Sequence, residues 1–246
     1  MITSKQNAYI KTVKSLKDKK YRDEYGLFLI EGVKMVKEAI LSGVQIQKIL
    51  ATEKGSEQLF VALENKVEVE LVSEIVYDYL TDEVSPQGVL AVAVKPNLPL
   101  SAPNGASLFL DGVSDPGNVG AIIRTAAASG YKDIYLANSA DAYSPKSVRA
   151  SMSGIYKVNV YAGGKDQLLK VINQPIVIAD MNGCSVFDCK PMQNFCLVIG
   201  NEAHGVSKEL RDLAQITVSI PMQNDMESLN ASVSAGILMY ALKNNK

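Results

Sequence analysis

Short apolar runs alternate with helical patterns over the first 95 residues of the chain. The runs Phe28–Ile30, Val67–Val72 and Gly88–Val94 have the length and the β-branched character of strands. Between them, apolar positions follow helical spacing, for example over Val33–Leu41, and Gly43 then provides a stop signal. This alternation predicts a small α/β domain at the N-terminus.

A second set of apolar runs follows residue 105 and predicts a mostly parallel sheet. These runs are unbroken, as expected of strands that helices cover on both faces. They comprise Ser107–Leu110, Ile134–Ala137, Ile176–Ala179, Cys196–Ile199 and Ile216–Ile220. The proline-rich stretch Lys95–Gly105 separates the two sets and interrupts regular structure. We therefore predict an N-terminal domain over residues 1–95, a linker over 96–105 and a C-terminal α/β domain over 106–246.

Composition excludes several classes of protein. The chain has 246 residues, 47% hydrophobic and 21% charged, which is ordinary globular usage. Its longest apolar run, Val89–Val94, is far too short for a membrane span, and the lysine-rich first twenty residues contain no secretory signal, so a cytoplasmic protein is predicted. Three cysteines and one histidine match no common zinc pattern, and no metal is predicted.

Positive charge is concentrated at the N-terminus, although the net charge is −1. Residues 1–22 carry seven Lys or Arg and a single acid, Asp18. A local basic stripe of this kind can bind polyanions through phosphate contacts. A solvated end of an amphipathic helix is the alternative explanation.

Candidate chemistry lies in the loops after the predicted strands, because ligands of open parallel sheets bind at the carboxyl edge. In the first loop, Leu110–Gly130, a Gly/Pro-rich turn leads into a helix predicted to begin near Asn118. Arg124 then lies on a helix face that otherwise consists of small residues. It is expected either to have a functional role or to form a surface ion pair with a nearby acid. The dinucleotide fingerprint G-x-G-x-x-G is absent.

The second and third loops bring further polar groups to the same edge. Glu202 follows a buried strand almost directly and is expected either to pair with Arg124 or a substrate hydroxyl, or to bind local amides. His204 beside it is suited to proton transfer, or is a plain loop residue. Ser228 and Asn230 stand where the last helix is predicted to begin and can present polar groups to a substrate.

Together and in this order, the three loops resemble the motifs of the SpoU (TrmH-type) ribose 2′-O-methyltransferases of the SPOUT superfamily. The motifs read D-G-V-x-D-P-G-N-V-G-A-I-I-R-T-A, G-N-E-A-H-G-V-S and I-P-M followed by E-S-L-N-A-S-V-S-A-G-I-L. Ile2–Asn7 and the FLIEG segment at Phe28–Gly32 resemble the RNA-substrate-binding domain appended in that family. The resemblance covers nearly the whole chain.

The resemblance implies a deep trefoil knot in the C-terminal domain, S-adenosyl-L-methionine as cofactor, RNA as substrate and a homodimer. It implies cofactor contacts at Gly200, Ile220, Met222 and Leu229, and a catalytic cluster of Asn118, Arg124, Glu202, Ser228 and Asn230. Arginine is almost always protonated, so we expect Arg124 to hold an RNA phosphate and to stabilise the developing 2′-alkoxide. The other polar residues of the cluster are expected to position it.

The resemblance also favours RNA binding by the basic stripe, where Tyr9 and Tyr21 can stack on unpaired bases. A helix predicted to begin after Ser144 adds two cations to this surface. The expected RNA-binding residues are Lys5, Lys11, Lys14, Lys20, Arg22, Lys146 and Arg149.

Ribosomal RNA is the favoured substrate by analogy with the family. The alternatives are a ribose methyltransferase that acts on transfer RNA and a non-enzymatic RNA-binding or ribosome-assembly protein that keeps the same fold. A nicotinamide-dependent dehydrogenase would fit the sheet pattern but lacks the phosphate-binding fingerprint.

Overall fold

The computed structural model describes residues 1–63, 68–224, 226 and 228–243. Its strands are β1 (Leu27–Glu31), β2 (Ile46–Ala51), β3 (Glu70–Leu71), β4 (Val89–Val94), β5 (Ser107–Asp111), β6 (Asp133–Ala137), β7 (Asn159–Gly163), β8 (Ile176–Ser185), β9 (Cys196–Gly200) and β10 (Ile216–Ser219). Its helices are α1 (Ala8–Ser15), α2 (Lys19–Tyr25), α3 (Val33–Leu41), α4 (Glu53–Leu63), α5 (Glu74–Leu80), α6 (Pro116–Ser129), α7 (Pro145–Ser151), α8 (Lys165–Leu169), α9 (Lys208–Leu213) and α10 (Ala231–Leu242). None of the helices in these ranges has the length and apolarity needed to cross a bilayer.

The chain forms two compact units, and one of them is discontinuous. Met1–Asn97 forms the first unit together with Tyr143–Tyr156, and Leu98–Ala142 forms the second together with Lys157–Lys246. The domain limits predicted from sequence did not assign Tyr143–Tyr156 to the N-terminal part. Helix α7, which lies in this segment, packs on β1 within the first unit.

The first unit contains a four-stranded sheet in the order β1-β4-β2-β3. Strand β4 runs antiparallel to both β1 and β2, whereas β3 is parallel to β2. The predicted run Val67–Val72 begins outside the described residues, and only Glu70–Leu71 within it form a strand. On the α7 side, the ring of Phe28 meets the ring of Tyr143 edge-on, with 5.1 Å between centroids. This contact ties the inserted segment to the core of the unit.

The second unit contains six parallel strands in the order β10-β8-β9-β5-β6-β7. The predicted mostly parallel sheet is confirmed, while the knot stays a prediction. The chain moves outward from β5 to β7 and then returns to the other side of β5, so the strand order reverses between β5 and β9. Ligands of open parallel sheets bind at the carboxyl end of such a reversal.

Two helices, α6 and α10, begin in the loops that contain the predicted site residues. Helix α6 begins where the Asp115 carboxylate accepts from the backbone amide of Asn118 at 3.0 Å, and Pro116 occupies its first turn. Helix α10 begins at Asn230, whose side chain accepts from the amide of Ser232 at 2.9 Å. The two helices pack against each other, and a Cβ at Gly236 would lie 3.6 Å from the Thr125 methyl group. The small residues of α10 therefore permit close packing of the two helices.

Candidate active site

The carboxylate of Glu202 connects the loop after β9 with the start of α6. One oxygen, Oε2, accepts hydrogen bonds from the amide and the hydroxyl of Ser114, both at 3.1 Å. The other, Oε1, accepts from the amide of Asp115 at 3.4 Å and from the side-chain amide of Asn118 at 2.9 Å. Four donors therefore converge on one side chain, and they fix the loop after β5 relative to the loop after β9.

This geometry keeps Glu202 ionised. Burial by itself would raise its pKa, but the hydrogen bonds from Asn118 and from the amides of Ser114 and Asp115 lower the pKa to about 2. A carboxylate that is so weakly basic is a poor proton acceptor near neutral pH. Of the two explanations predicted for Glu202, the structure favours binding to local amides.

The third loop joins this network through an amide pair. The Asn230 side chain donates to Asn118 Oδ1 at 3.0 Å, and Asn118 in turn donates to Glu202. Three residues predicted to act together, one from each loop, thus form a continuous chain of hydrogen bonds. Ser228 lies near this chain, and within the described ranges its hydroxyl has no hydrogen-bond partner.

Two adjoining cavities open beside the network. The larger, of about 740 Å³, has polar and apolar walls in nearly equal parts, and we call it the polar cavity because Glu202, His204, Arg211, Ser228 and Asn230 line it. The smaller, of about 340 Å³, is mainly apolar. Their shared wall consists of Ala179, Asp180, Met181, Ser228, Leu229 and Ser234. Both volumes fall within the range of cavities that bind small molecules.

The residues predicted to contact the cofactor line these cavities. Gly200 lines the polar cavity, Ile220 and Met222 line the apolar cavity, and Leu229 lines both. A Cβ at Gly200 would lie only 2.2 Å from the carbonyl carbon of Gly205, so no side chain fits at this position. Glycine at this position therefore permits the close approach of the turn at Gly205, while the Gly200 backbone lines the polar cavity.

Arg124 lies apart from both cavities of its own chain. It follows Asn118 by six residues on α6, which corresponds to roughly 9 Å along the axis and to a different helix face. The side chain is exposed, and no described residue pairs with it. The structure therefore does not bring Arg124 to the Glu202 network or to the Gly200 backbone within one chain.

The predicted RNA-binding residues differ in accessibility. Lys5, Lys11, Lys20 and Lys146 are exposed. Lys14 is half-buried and donates to the carbonyl of Tyr79 at 2.5 Å, while Arg149 pairs with Glu83 at 2.7 Å.

Arg22 requires a correction. It is 3% exposed, and its guanidinium donates to the carbonyls of Leu16 at 2.8 Å and Lys17 at 2.6 Å. These bonds hold the turn between α1 and α2, so Arg22 is a structural residue and is not available to RNA.

Sequence reasoning missed a buried ion pair below the site. Lys165 contacts Asp111 at 2.6 Å, and the amide of Ser207 donates to the same carboxylate at 2.8 Å. Burial opposes ionisation of Asp111, but Lys165 and Ser207 lower its pKa. Asp111 is the first residue of the first motif and ends a buried strand, and this position could have identified it from sequence. Nothing in the sequence pointed to Lys165. Across the described ranges, no three potential metal ligands converge.

Comparison with known proteins assigns most of the chain. Residues 105–240 match the model of the SpoU rRNA Methylase family, and residues 7–91 match an MRM3-like substrate binding domain. The chain is 31% identical to a Bacillus subtilis (strain 168) protein named 23S rRNA (guanosine(2553)-2′-O)-methyltransferase RlmP, over 98% of each chain. It is 30% identical to a 23S rRNA (uridine(2479)-2′-O)-methyltransferase of Streptomyces viridochromogenes, over 97% of this chain and 90% of the other.

A solved structure agrees with these relatives. The crystal structure of an AdoMet-bound rRNA methyltransferase from Sinorhizobium meliloti superposes with a TM-score of 0.85 at 28% identity. The match covers 98% of this chain and 96% of the other.

Proposed function

Because the chain belongs to the SpoU rRNA methylase family, we propose that it transfers a methyl group from S-adenosyl-L-methionine to a ribose 2′-hydroxyl of ribosomal RNA. The observation that carries this proposal is the hydrogen-bonded chain Glu202–Asn118–Asn230 at the edge of a polar cavity. It joins the three loops at the point where the strand order reverses.

The residues at the site fit the cofactor. Ile220, Met222 and Leu229 offer apolar walls to the adenine, while the adjoining polar cavity suits the charged amino-acid end. The backbone of Gly200 lines the polar cavity and can make main-chain contacts to the cofactor. When bound, the cofactor supplies an electrophilic methyl group on a sulfonium.

Within one chain, the polar residues orient the target sugar and do not remove its proton. Glu202 has a pKa of about 2, which excludes it as an efficient base at neutral pH. Asn118 and Asn230 are held by each other and by Glu202, so they fix the loops. The Ser228 hydroxyl has no partner within the described chain and is able to bind a ribose hydroxyl. The proton leaves toward an RNA phosphate or water.

Arg124 acts from a second copy of the chain. It is exposed and lies outside both cavities of its own chain, so the site is complete only in a homodimer. Helix α10 supports this arrangement because it is apolar on nearly all sides and still exposes about half of Val233 and Tyr240. In the dimer, Arg124 holds a phosphate next to the target sugar and stabilises the developing alkoxide.

The exposed lysines of the first unit bind the RNA backbone, chiefly Lys5, Lys11, Lys20 and Lys146. Both relatives named above act on 23S rRNA, which favours a large ribosomal RNA over transfer RNA. With such a substrate, the protein works in the cytoplasm.

A tritiated-methyl assay tests the proposal. Purified protein is incubated with labelled S-adenosyl-L-methionine and unmodified 23S rRNA transcript, and the methylated position is then mapped as ribose 2′-O-methylation. We expect rRNA to be labelled in preference to tRNA. If the protein binds the cofactor and rRNA but transfers no methyl group, the non-enzymatic ribosome-assembly alternative is supported. Selective labelling of tRNA would support a ribose methyltransferase that acts on transfer RNA.

Three variants test the role of Arg124. Arg124→Ala should abolish turnover and leave cofactor affinity unchanged by calorimetry, whereas Lys132→Ala, an exposed control beyond the same helix, should retain full activity. Mixing Arg124→Ala with Asn230→Ala should restore about a quarter of wild-type activity, because half of the dimers would then have one intact site. Absence of any recovery would contradict action across the dimer.

A further inference from the structure

The guanidinium of Arg211 lies in the wall of the polar cavity and is held from two sides. Its Nε donates to the carbonyl of Val206 at 2.9 Å, and Nη1 contacts the Asp180 carboxylate at 3.0 Å. Asp180 is itself fixed, because its other oxygen accepts from the amide of Asn182 at 3.1 Å, and only 13% of its side chain is exposed. Arg211 is thus fixed in orientation before any ligand arrives.

One edge of this guanidinium remains available. Within the described chain, Nη2 donates no hydrogen bond, and 45% of the side chain is exposed. Nη2 lies 3.3 Å from the place where a Cβ would stand at Gly205, and Gly205 lines the same cavity. A glycine at this position leaves the donor edge uncovered. Two N–H groups are therefore presented to whatever occupies the polar cavity.

We propose that Arg211 binds a backbone phosphate of the RNA substrate, a role that rests on the proposed function. The polar cavity is lined at one side by Glu202, Ser228 and Asn230, where the target ribose is oriented, and elsewhere by Arg211. A ribose in an RNA chain has a phosphate on each side, so a cation in the same cavity meets one of them. A planar guanidinium with a free edge suits the oxygen atoms of a phosphate.

This role differs from that of Arg124, which lies outside the cavity of its own chain. Arg211 binds the RNA within its own chain, and it holds the substrate without touching the reacting atoms. It is therefore a binding residue, and its loss should act on RNA affinity.

The competing ligand for the same edge is the carboxylate of the cofactor's amino-acid end. Both ligands would enter the polar cavity, which Arg211 lines, and the 45% exposure of its side chain favours the phosphate because RNA arrives from solvent. A phosphate contact and a cofactor contact predict losses in two different affinities, which can be measured separately.

The test compares Arg211→Gln with Lys208→Gln, which removes the same charge from the same helix but outside the cavity. Binding of an unmodified 23S rRNA transcript is measured by filter retention at several salt concentrations. We expect Arg211→Gln to weaken RNA binding about tenfold and to reduce the salt slope by about 0.7 to 0.9 more than Lys208→Gln does. Affinity for S-adenosyl-L-methionine, measured by calorimetry, should be unchanged.

Arg211→Lys separates charge from geometry. Lysine keeps the positive charge but lacks the planar array of N–H donors. The salt dependence of RNA binding should therefore return to the wild-type slope, while the RNA affinity stays several-fold below that of the wild type. The proposal is wrong if Arg211→Gln behaves like Lys208→Gln, or if cofactor affinity falls instead of RNA affinity. Wild-type methylation of the same transcript is measured in parallel. Its absence would refute the proposed function itself, whereas its presence with unaltered RNA binding by the variant would refute only the role of Arg211.

Discussion

Replacing Glu202 with glutamine tests the network at the centre of the site. The variant keeps the size of the side chain, but its amide group faces two of the four donors that now bind the carboxylate. The difference between a pKa of 4.5 and one of about 2 would correspond to roughly 3 kcal/mol in a fully buried site. Because Glu202 is exposed, solvent screening reduces the expected loss to about 1 kcal/mol.

The loss should depend on pH in a defined direction. The pKa of Glu202 is lower in the folded state than in the unfolded state, so its contribution is fully present above about pH 4.5 and disappears as the pH falls toward 2. The stability gap between wild type and Glu202→Gln should therefore be constant between pH 7 and about pH 5. Below that range it should narrow.

Urea unfolding at pH 7 and at pH 3.5 measures this gap, with Glu209→Gln as the matched control. Glu209 is an exposed acid in the first turn of α9, and its replacement should change stability little at either pH. At pH 7 the melting temperature of Glu202→Gln should fall by about 2–4 °C. Turnover should fall roughly tenfold or more, since the loops that orient the sugar lose their common anchor. A stability gap of the same size at both pH values would refute the assignment of the effect to the ionised carboxylate.

Three further predictions concern the surroundings of the site. Gly200→Ala should weaken binding of S-adenosyl-L-methionine at least tenfold by calorimetry, because the backbone of the facing turn must shift, whereas Gly164→Ala, which meets nothing within 4 Å, should leave it unchanged. Lys165→Met leaves the Asp111 carboxylate buried without its partner and should cost about 3–5 kcal/mol in urea unfolding, an effect that an added Asp111→Asn change should largely reverse. Arg22→Met removes the donors that bind two carbonyls and should cost about 2–3 kcal/mol, and RNA affinity measured well below the melting temperature should stay near the wild-type value.

Strands buried on both faces were predictable from sequence, whereas the half-exposed edge strand β7 was not. The central strands β5, β6 and β9 are continuous buried runs, which is the pattern that helices on both faces impose. Strand β7 at the edge buries only Tyr161 among its five residues, so it lacks that pattern. No residue of β8 beyond Ala179 is fully buried, and the sequence prediction ended the strand there.

For the site, sequence predicted that Asn118, Glu202 and Asn230 lie together, but it did not predict the separate position of Arg124. Polar residues directly after buried strands indicated Glu202, and the helix start indicated Asn230, because strand ends and caps are local features. The position of Arg124 outside the cavities of its own chain depends on how α6 packs in the folded unit, which local patterns do not contain. Arg22 was assigned to RNA by its place in a basic run, although its guanidinium is buried against the carbonyls of the turn between α1 and α2.

The discontinuous first unit has a consequence for dissecting this protein. A fragment ending at Asn97 would lack Tyr143–Tyr156 and would leave bare the apolar patch on β1 that Phe28 shares with Tyr143. Such a fragment is a poor candidate for independent folding. Separating the two units would require cutting the backbone at three places, whereas two domains in simple succession are joined at one place. Recombination or gene fusion could exchange the first unit intact only if Tyr143–Tyr156 were transferred with it, although this segment is encoded inside the second unit.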